Sequence, residues 1–413
     1  MAPGASLCAR VLLAQPRECT MADHSRLGRE LELFTTHPLI GAGLPVWLPK
    51  GAAVRSAIEE YIKAEEQRAG YQHVYSPPLG KRELYDISGH REHFAEEMFA
   101  PIDDDLVLRP SLCPHHALVF ASKGRSYRDL PLRVGELGQM FRAERSGVLA
   151  GLTRVRCISL NDAHIFCALD DVGAEVRGVL DLVERAYAAL GIAKWHYRLS
   201  LRGGSEDPKY VGDGGRWSQA EGLLRAALDA RAVGYEVLAG EAAFYGPKID
   251  VQVQDSAGRG WTLSTVQLDF HKPERFDLSY ADAVGGRSRP VMVHRSVVGS
   301  IERLVGLLLE HNDGAFPAWC APVQVVVLPV SDEQAVAAQS FAAELDGLRV
   351  EVVAEGTLAA RVRAARLAPY LAVVGAREAA SGQVNLRPRG AGQSSESMPV
   401  AAAREQLRAR CSV

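Results

Sequence analysis

The chain lacks several features that would assign it quickly to a simple class. Its seven cysteines are scattered and odd in number, and none stands in a CxxC pair. A disulfide framework is therefore not expected, and a reducing cytoplasm fits this pattern. No apolar run reaches the roughly 18 residues of a membrane-spanning helix, and residues 1–20 are too weakly apolar to predict a secretory signal.

The chain also lacks a strong excess of either charge. Its 47 basic and 50 acidic residues give a formal net charge of −3. This balance argues against a general nucleic-acid coat but not against local basic patches. No lysine follows Lys272, so arginine supplies the positive charge in the last part of the chain. A length of 413 residues predicts two or three domains with a large core.

The chain up to residue 320 contains strand and helix patterns together. Residues 1–24 predict an extension without fixed structure, with Met21 as an alternative start. Residues 25–320 predict an α+β domain, in which short strands form an antiparallel sheet with helices outside it. Within this domain the pattern predicts helices at 51–69, 172–190 and 297–309, strands at 71–75, 106–109, 132–142 and 152–160, and a hairpin of 244–253 with 260–270.

The pattern changes after a boundary at 317–322. Beyond it strands and helices alternate, as strand, helix, strand, helix and strand at 323–329, 332–346, 348–353, 357–367 and 370–374. This alternation predicts that residues 321–413 form a small α/β domain with a mostly parallel sheet. The low-complexity stretch 389–395 predicts a surface hairpin loop.

Two arginines stand far apart in short motifs. Arg142 belongs to FRAE at 141–144, and Arg303 ends GSIER at 299–303, where an apolar helix pattern begins. Further motifs are RP at 109–110, CP at 113–114, SG at 146–147, GLTRVR at 151–156, DAHIFC at 162–167, AFYGPKI at 243–249, TVQLDF at 265–270 and HR at 294–295. With Pro77 upstream, the chain resembles the class II aminoacyl-tRNA synthetases in their three motifs. The match is specific to the threonyl-tRNA synthetase family and runs from about residue 25 to the end.

This resemblance implies a fold and a reaction. Residues 25–320 would be the class II catalytic domain, and residues 321–413 a domain of the anticodon-binding type. The implied activity is ATP-dependent activation of threonine to threonyl-adenylate and its transfer to tRNA(Thr), by a cytoplasmic homodimer. Mg²⁺ would accompany ATP, because triphosphates are bound through this ion with few protein ligands.

The resemblance also implies one zinc ion per subunit, held by Cys113, His164 and His294. One thiolate and two imidazoles suit Zn²⁺ with a position left open for substrate. Threonine would fill that position through its amino and hydroxyl groups, and valine, which has no hydroxyl, would be rejected. The spacing of the three residues is not by itself a zinc pattern, so three unrelated buried side chains are the alternative from the residues alone.

Three charged residues would contact ATP by the same resemblance. Arg142 would bind the α-phosphate and the amino-acid carboxylate, where it offsets the charge that develops during attack. Arg303 would hold the γ-phosphate, and Glu144 would contact the adenine amino group. The alternative for either arginine is a surface salt bridge.

Three further residues would contact threonine. Asp162 matches the family residue that accepts a hydrogen bond from the substrate hydroxyl, and its alternative is a helix N-cap. Tyr245 would lie near the substrate amino group, and its alternative is ordinary core packing. Gln267 is carried over as a residue of the substrate pocket.

Several positions depart from the family pattern. Cys157 and Ile158 replace a glycine and the aromatic residue that stacks on adenine, a contact worth about 1 kcal/mol beyond its area. Leu160 replaces a glutamine near the reacting carboxylate, and Thr262 changes a polar position near the ribose. The stretch 354–361 lacks the basic character expected for phosphate contacts with tRNA.

These departures leave other interpretations open. One is a paralogue that activates threonine for an acceptor other than tRNA, another is a non-catalytic class II binding module, and a third is a ligase kept as a drug-resistant duplicate. The complete metal set, with Asp162 and both arginines, favours an enzyme. The chain also begins too late for the editing domain that many family members carry. We therefore expect a compact form that activates serine measurably, without correction in cis.

Overall fold

The computed structural model describes residues 23–103, 105–204, 207–255, 258–390 and 394–413. Helices are distributed over the whole of this part. Their bounds are α1 (His24–Glu30), α2 (Pro49–Arg68), α3 (Arg82–Ile87), α4 (His90–Phe94), α5 (Cys113–Ala121), α6 (Val172–Leu190), α7 (Gly214–Asp229), α8 (His271–Arg275), α9 (Ile301–His311), α10 (Ala335–Glu344), α11 (Leu358–Ala364), α12 (Ala376–Ser381) and α13 (Val400–Arg410).

The strands fall into two larger sheets and several short pairings. Their bounds are β1 (Phe34–Thr35), β2 (Val46–Trp47), β3 (Gln72–His73), β4 (Leu79–Lys81), β5 (Leu106–Leu108), β6 (Arg125–Ser126), β7 (Leu132–Phe141), β8 (Cys157–Cys167), β9 (His196–Leu201), β10 (Tyr235–Ala239), β11 (Lys248–Gln254), β12 (Gly260–Asp269), β13 (Tyr280–Ala281), β14 (Arg287–Ser288), β15 (Val291–Ser296), β16 (Val325–Pro329), β17 (Val350–Val352), β18 (Tyr370–Val374), β19 (Gln383–Pro388) and β20 (Glu396–Pro399).

The larger sheet joins strands from both halves of the first 320 residues. Its order is β10-β9-β11-β12-β15-β8-β7-β3. The interior pairs are antiparallel, and only the outermost strands at the two edges pair in parallel with their neighbours, among the described residues. The fold is therefore α+β with an antiparallel sheet, as the sequence predicted.

Alternation along the strands separates the core from the opposite face of this sheet. Ala163, Ile165 and Cys167 of β8 belong to the main apolar cluster, which also contains residues of α2, α6 and α9. Successive side chains of a strand point to opposite faces. Asp162 and His164 therefore face away from α2, α6 and α9, and this second face is where polar residues collect.

Local sequence fixes the ends of two helices that pack on the apolar face of the sheet. Gly191, with φ +73°, ends α6 in the left-handed region that glycine adopts at low cost. Ser300 caps α9 by accepting the backbone N–H of Arg303 at 3.1 Å. The helix predicted at 297–309 therefore begins four residues later, at Ile301, and Arg303 lies in its first turn.

The strand predicted at 152–160 is wrong in its position, because β8 spans Cys157–Cys167. The chain turns before it: Gly151 has φ +48°, and Ala150 pairs with Arg154 in an isolated bridge. A Cβ on Gly151 would lie 2.2 Å from Nε2 of His24. Leu152 and Val155 are thus buried ahead of the strand, and β8 begins two residues after Val155.

The second sheet lies in the last ninety residues and has the order β17-β16-β18-β19-β20. The three strands that the alternation predicted are parallel to one another. The pairs β18–β19 and β19–β20 are antiparallel. The expectation of a mostly parallel sheet therefore holds for β16, β17 and β18 but is wrong for the pairing of β19 and β20. Residues 383–399 form a hairpin and not another helical crossover.

Two predictions fall wholly or partly outside the described residues. The extension expected at 1–24 lies outside them except for Asp23, which caps α1, and His24, which begins it. Part of the loop expected at 389–395 lies outside them as well. None of the helices in the described part of the chain has the length and apolar character needed to span a bilayer.

Candidate active site and metal centre

A cavity of about 460 Å³ opens on the polar face of the larger sheet. Six of the residues predicted to bind substrate line it together: Arg142, Glu144, Asp162, Tyr245, Gln267 and Arg303. His294, one of the predicted metal ligands, also lines the cavity and so connects it to the metal cluster. The structure thus brings together residues that lie more than 150 positions apart in the sequence.

Strand register places the three predicted metal ligands side by side. His164 of β8 is the direct partner of His294 on β15. Cys113 is the first residue of α5, with Pro114 in the first turn, where proline is favoured. One ligand atom from each of the three residues lies within 4.8 Å of the others, and all three residues are buried. A cluster of this size can surround a single ion.

Each histidine of the cluster has one ring nitrogen engaged outside it. Nε2 of His294 lies 2.9 Å from Oδ2 of Asp269, and Nδ1 of His164 lies 2.7 Å from Nδ1 of His116. His116 in turn contacts Glu136 at 3.2 Å. The remaining nitrogens, Nε2 of His164 and Nδ1 of His294, face each other at 2.9 Å. This is the arrangement in which outer contacts orient histidines towards a metal.

Burial sets the protonation of these groups. It lowers the pKa of His294 to about 4 and that of His164 well below its usual value, so both imidazoles are neutral near pH 7, as metal binding requires. Burial raises the pKa of the Cys113 thiol to about 11, so a metal must displace its proton. The residues fit a zinc ion.

Asp162 lies in the middle of β8, opposite Glu136 on β7. It does not cap a helix, so that alternative is wrong. Its carboxylate is buried, and burial raises its pKa to about 7. Oδ2 of Asp162 lies 3.9 Å from Nε2 of His164. An acceptor therefore stands at the wall of the cavity next to the metal cluster.

Tyr245 and Gln267 form the neighbouring wall. The Tyr245 hydroxyl donates to Oε1 of Gln267 at 2.5 Å, and the Tyr245 ring stacks on that of His294, with centroids 4.8 Å apart. Gln267 is the strand partner of His294. Tyr245 lines the cavity, so core packing alone does not describe its position.

The two arginines have different partners. The Arg303 guanidinium donates to the carbonyls of Thr153 and Thr262 at 3.1 and 3.2 Å, and burial lowers its pKa. It forms no ion pair within the described residues, so a surface salt bridge is the wrong alternative for it. Arg142 does form an ion pair, with Glu97, although it also lines the cavity.

Three of the altered positions line the same cavity as the two arginines. They are Ile158, Leu160 and Thr262. Glu144 is held there by Arg154, whose guanidinium donates to its carboxylate at 2.9 Å. The departures noted in the sequence therefore border the space next to Arg142 and Arg303.

Sequence reasoning missed several residues of this site. Asp269 and Lys272 form a buried ion pair of 3.1 Å beside His294, and burial, which alone would raise the pKa of Asp269, is outweighed by Lys272 so that the pKa is lowered. His90 lies 3.6 Å from the sulfur of Cys113. Asp269 belongs to the TVQLDF motif at 265–270, which was the one signal available for this pair.

The fold and the site define the class of the protein. An antiparallel sheet with a polar cavity on one face, lined by two arginines far apart in the sequence, is the arrangement that the class II motifs implied. Residues 96–312 match the family model of the tRNA synthetase class II core domain (G, H, P, S and T), and residues 324–410 match the anticodon binding domain.

The chain belongs to the threonyl-tRNA synthetase family of class II. It is 33% identical to a solved structure described as the RNA binding domain of threonyl-tRNA synthetase from Cryptosporidium parvum, with a TM-score of 0.88, and covers 98% of that chain. Threonine–tRNA ligases of Geobacillus sp. and Thermus thermophilus are each 46% identical over 94% of this chain. The chain spans 61% of the length of these two relatives.

Proposed function

We propose that the chain is a threonine–tRNA ligase that recognises its amino acid through zinc. One observation carries the proposal: the three potential metal ligands lie within 4.8 Å of one another, and one of them lines the same cavity as Arg142, Asp162 and Arg303. A metal centre and two cations around one cavity suit an amino acid and a triphosphate bound next to each other.

Zinc held by Cys113, His164 and His294 would supply a Lewis-acidic site for the amino and hydroxyl groups of threonine. The Asp162 carboxylate would accept a hydrogen bond from the substrate hydroxyl. Tyr245 and Gln267 would line the side where the amino group lies. Serine offers the same polar groups as threonine, whereas valine would leave these buried polar groups unpaired.

Arg142 and Arg303 would act on the triphosphate, which is bound with Mg²⁺. The threonine carboxylate attacks the α-phosphorus, a P–O bond to the β-phosphate breaks, and pyrophosphate leaves. Arg142 would offset charge that develops at the α-phosphate, and Arg303 would hold the γ-phosphate. Glu144 would contact the adenine amino group. The step then depends on positioning and electrostatics, without a protein nucleophile.

Threonine-dependent ATP–pyrophosphate exchange with the zinc-loaded protein tests the first half of the proposal. We expect exchange with threonine, weaker exchange with serine and very little with valine. Transfer of labelled threonine to tRNA(Thr) tests the second half. Absence of exchange with every amino acid would contradict the proposal and bring a binding module forward.

A second candidate acceptor has one observation in its favour. Arg361, the basic residue that ends the altered stretch, is buried and donates to the carbonyls of Pro329 and Val353 at 2.6 and 3.0 Å. Its guanidinium is therefore occupied by backbone carbonyls at the ends of two strands and is not free to bind a phosphate. If threonine exchange occurs but tRNA(Thr) is not charged, a paralogue that hands threonine to another acceptor becomes the better proposal.

Other expectations belong to the same proposal. We propose a catalytic domain at 25–320 and an anticodon-binding-type domain at 321–413, with the family matches at 96–312 and 324–410 as support. A homodimer and a cytoplasmic location follow from the family and from the reaction, and analytical ultracentrifugation would test the dimer. Measurable activation of serine stays a prediction of this chain's behaviour.

A further inference from the structure

Lys272 is a lysine in the interior of the protein. Its side chain has no exposure to solvent, and the same is true of its partner Asp269. A buried ammonium ion is costly unless it is paired and hydrogen-bonded. The pair stands directly beside the metal cluster, because Asp269 also contacts His294.

The contacts of Lys272 form a closed ring of four side chains. Its Nζ lies 3.1 Å from Oδ2 of Asp269, and the same oxygen lies 2.9 Å from Nε2 of His294. The His294 ring stacks on the Tyr245 ring, with centroids 4.8 Å apart. The last contact of this cycle joins Tyr245 to Lys272, whose Nζ lies 3.4 Å from the centroid of the Tyr245 ring.

This ring couples two groups of the amino-acid pocket. Asp269 accepts the Nε2–H of His294, which leaves Nδ1 of that histidine free for a metal. Tyr245 contacts both the imidazole and the ammonium, and its hydroxyl donates to Gln267. An ammonium over an aromatic face is attractive, and more so away from water. Lys272 contacts both Asp269 and Tyr245, as His294 does, but it is not itself a predicted ligand of the metal.

We propose that Lys272 is a positioning residue for the amino-acid pocket: through Asp269 and Tyr245 it holds His294 ready for zinc and Tyr245 ready for threonine. This inference rests on the zinc site of the proposed function. It adds a residue that touches neither zinc nor substrate and that no motif of the sequence identified.

Zinc affinity gives a readout that does not depend on activity. The dissociation constant of Zn²⁺ is measured on the full chain by competition with a fluorescent chelator. We expect Lys272→Met to weaken zinc binding by about 10- to 100-fold, the usual effect of losing an outer contact of a metal ligand. Lys272→Arg keeps the cation and should restore most of the affinity.

Lys209 provides a matched control. Its ammonium also lies over a tyrosine ring, 4.9 Å from the centroid of Tyr210, but the side chain is exposed and lies outside the cavity. Lys209→Met should leave the zinc dissociation constant unchanged. In the exchange assay, Lys272→Met should raise KM for threonine much more than KM for ATP, which a general loss of stability would not do.

A double variant distinguishes the loss of positioning from misfolding caused by a lone buried charge. Asp269→Asn with Lys272→Met replaces the ion pair by neutral side chains, so it leaves no lone buried charge. If Lys272 acts through Asp269, the double variant should bind zinc about as weakly as Asp269→Asn alone, because residues in one network are not additive. Equal zinc affinity in Lys272→Met and the wild type would overturn this inference alone. Absence of zinc binding by the wild type would overturn the zinc site and the inference together.

Discussion

The two ends of the cavity differ in how their charges are held. At the end that we propose binds the amino acid, the amino-acid end, Asp269 and Lys272 have no exposure and pair with each other, and the predicted metal ligands are buried beside them. At the end that we propose binds ATP, the nucleotide end, the Arg303 guanidinium donates to backbone carbonyls and Arg142 pairs with a half-exposed Glu97. The departures from the family pattern, at Ile158, Leu160 and Thr262, line the cavity with these arginines.

This difference indicates which properties of the proposed ligase a substitution can change in small steps. Interactions in a buried, low-dielectric site are strong, and breaking one partner leaves a costly unpaired group. Interactions near solvent are weak and screened. Substitutions at the nucleotide end should therefore adjust the affinity for ATP in small steps, whereas substitutions at the amino-acid end should affect specificity strongly.

The largest effect is expected from Cys113→Ala at the amino-acid end. A site that binds the hydroxyl of its substrate rejects the analogue that lacks it by about 10⁴-fold. We expect the wild type to prefer threonine over valine to this extent, and Cys113→Ala to lose bound zinc and most of the preference. The measurements are kcat/KM in ATP–pyrophosphate exchange and metal content by mass spectrometry.

Cys167→Ala is the matched control for this change. Cys167 is also a buried cysteine, but its side chain belongs to the main apolar cluster. Its removal should leave both zinc content and the preference for threonine intact. A Cys113→Ala variant that still prefers threonine by the full factor would rule out a metal role for this thiol.

Serine should show a smaller effect at the same end. It offers the amino and hydroxyl groups of threonine and lacks one methyl group, a difference worth about 1–3 kcal/mol, or about 10- to 200-fold. We therefore expect serine to support exchange at a rate within this range below that of threonine. Serine turnover below a thousandth of threonine turnover would mean that the pocket rejects serine by more than the lost methyl contact.

The amino-acid end could be predicted well from the sequence because strand register is regular. His164 and His294 lie on adjacent strands as direct partners, and Gln267 follows on the next strand. Motifs on long strands keep their spacing, so residues from separate motifs could be expected to lie together. Their chemical roles stay predictions until they are measured.

Other features depended on tertiary contacts that a pattern cannot contain. The strand expected at 152–160 begins only at Cys157, because the residues before it form a turn in which Gly151 lies against His24, which is far away in the sequence. Nothing in the sequence around Lys272 indicates that it is buried. Its contacts with Tyr245 and Asp269 in the folded chain show that it is an interior residue. The ion pair of Arg142 with Glu97 is another such contact.

A moderate effect is expected from Ile158→Phe at the nucleotide end. The substitution restores an aromatic ring at the position where family members stack one on adenine. This stack should add about 1 kcal/mol to the binding free energy of ATP, which lowers KM for ATP about 5-fold. KM for threonine should stay the same, because the metal centre is untouched. Val148→Phe adds a ring at an exposed position outside the cavity and serves as the control. An unchanged KM for ATP in Ile158→Phe would mean that adenine does not lie against residue 158.

The smallest effect is expected from Glu97→Gln. This variant tests whether substitutions at the nucleotide end change the affinity for ATP in small steps, as the comparison of the two ends of the cavity suggests. Glu97 pairs with Arg142, so ATP must compete with a carboxylate for the same guanidinium. An exposed ion pair is worth about 0.2–1 kcal/mol, so its loss should lower KM for ATP by at most about 5-fold. The gain should shrink as salt is raised, because screening weakens the pair in the wild type. Glu96 pairs with Arg145 at 3.6 Å with both side chains almost fully exposed, and Glu96→Gln should change nothing. A rise in KM for ATP in Glu97→Gln would mean that Glu97 holds Arg142 in place for the phosphate and does not compete with it.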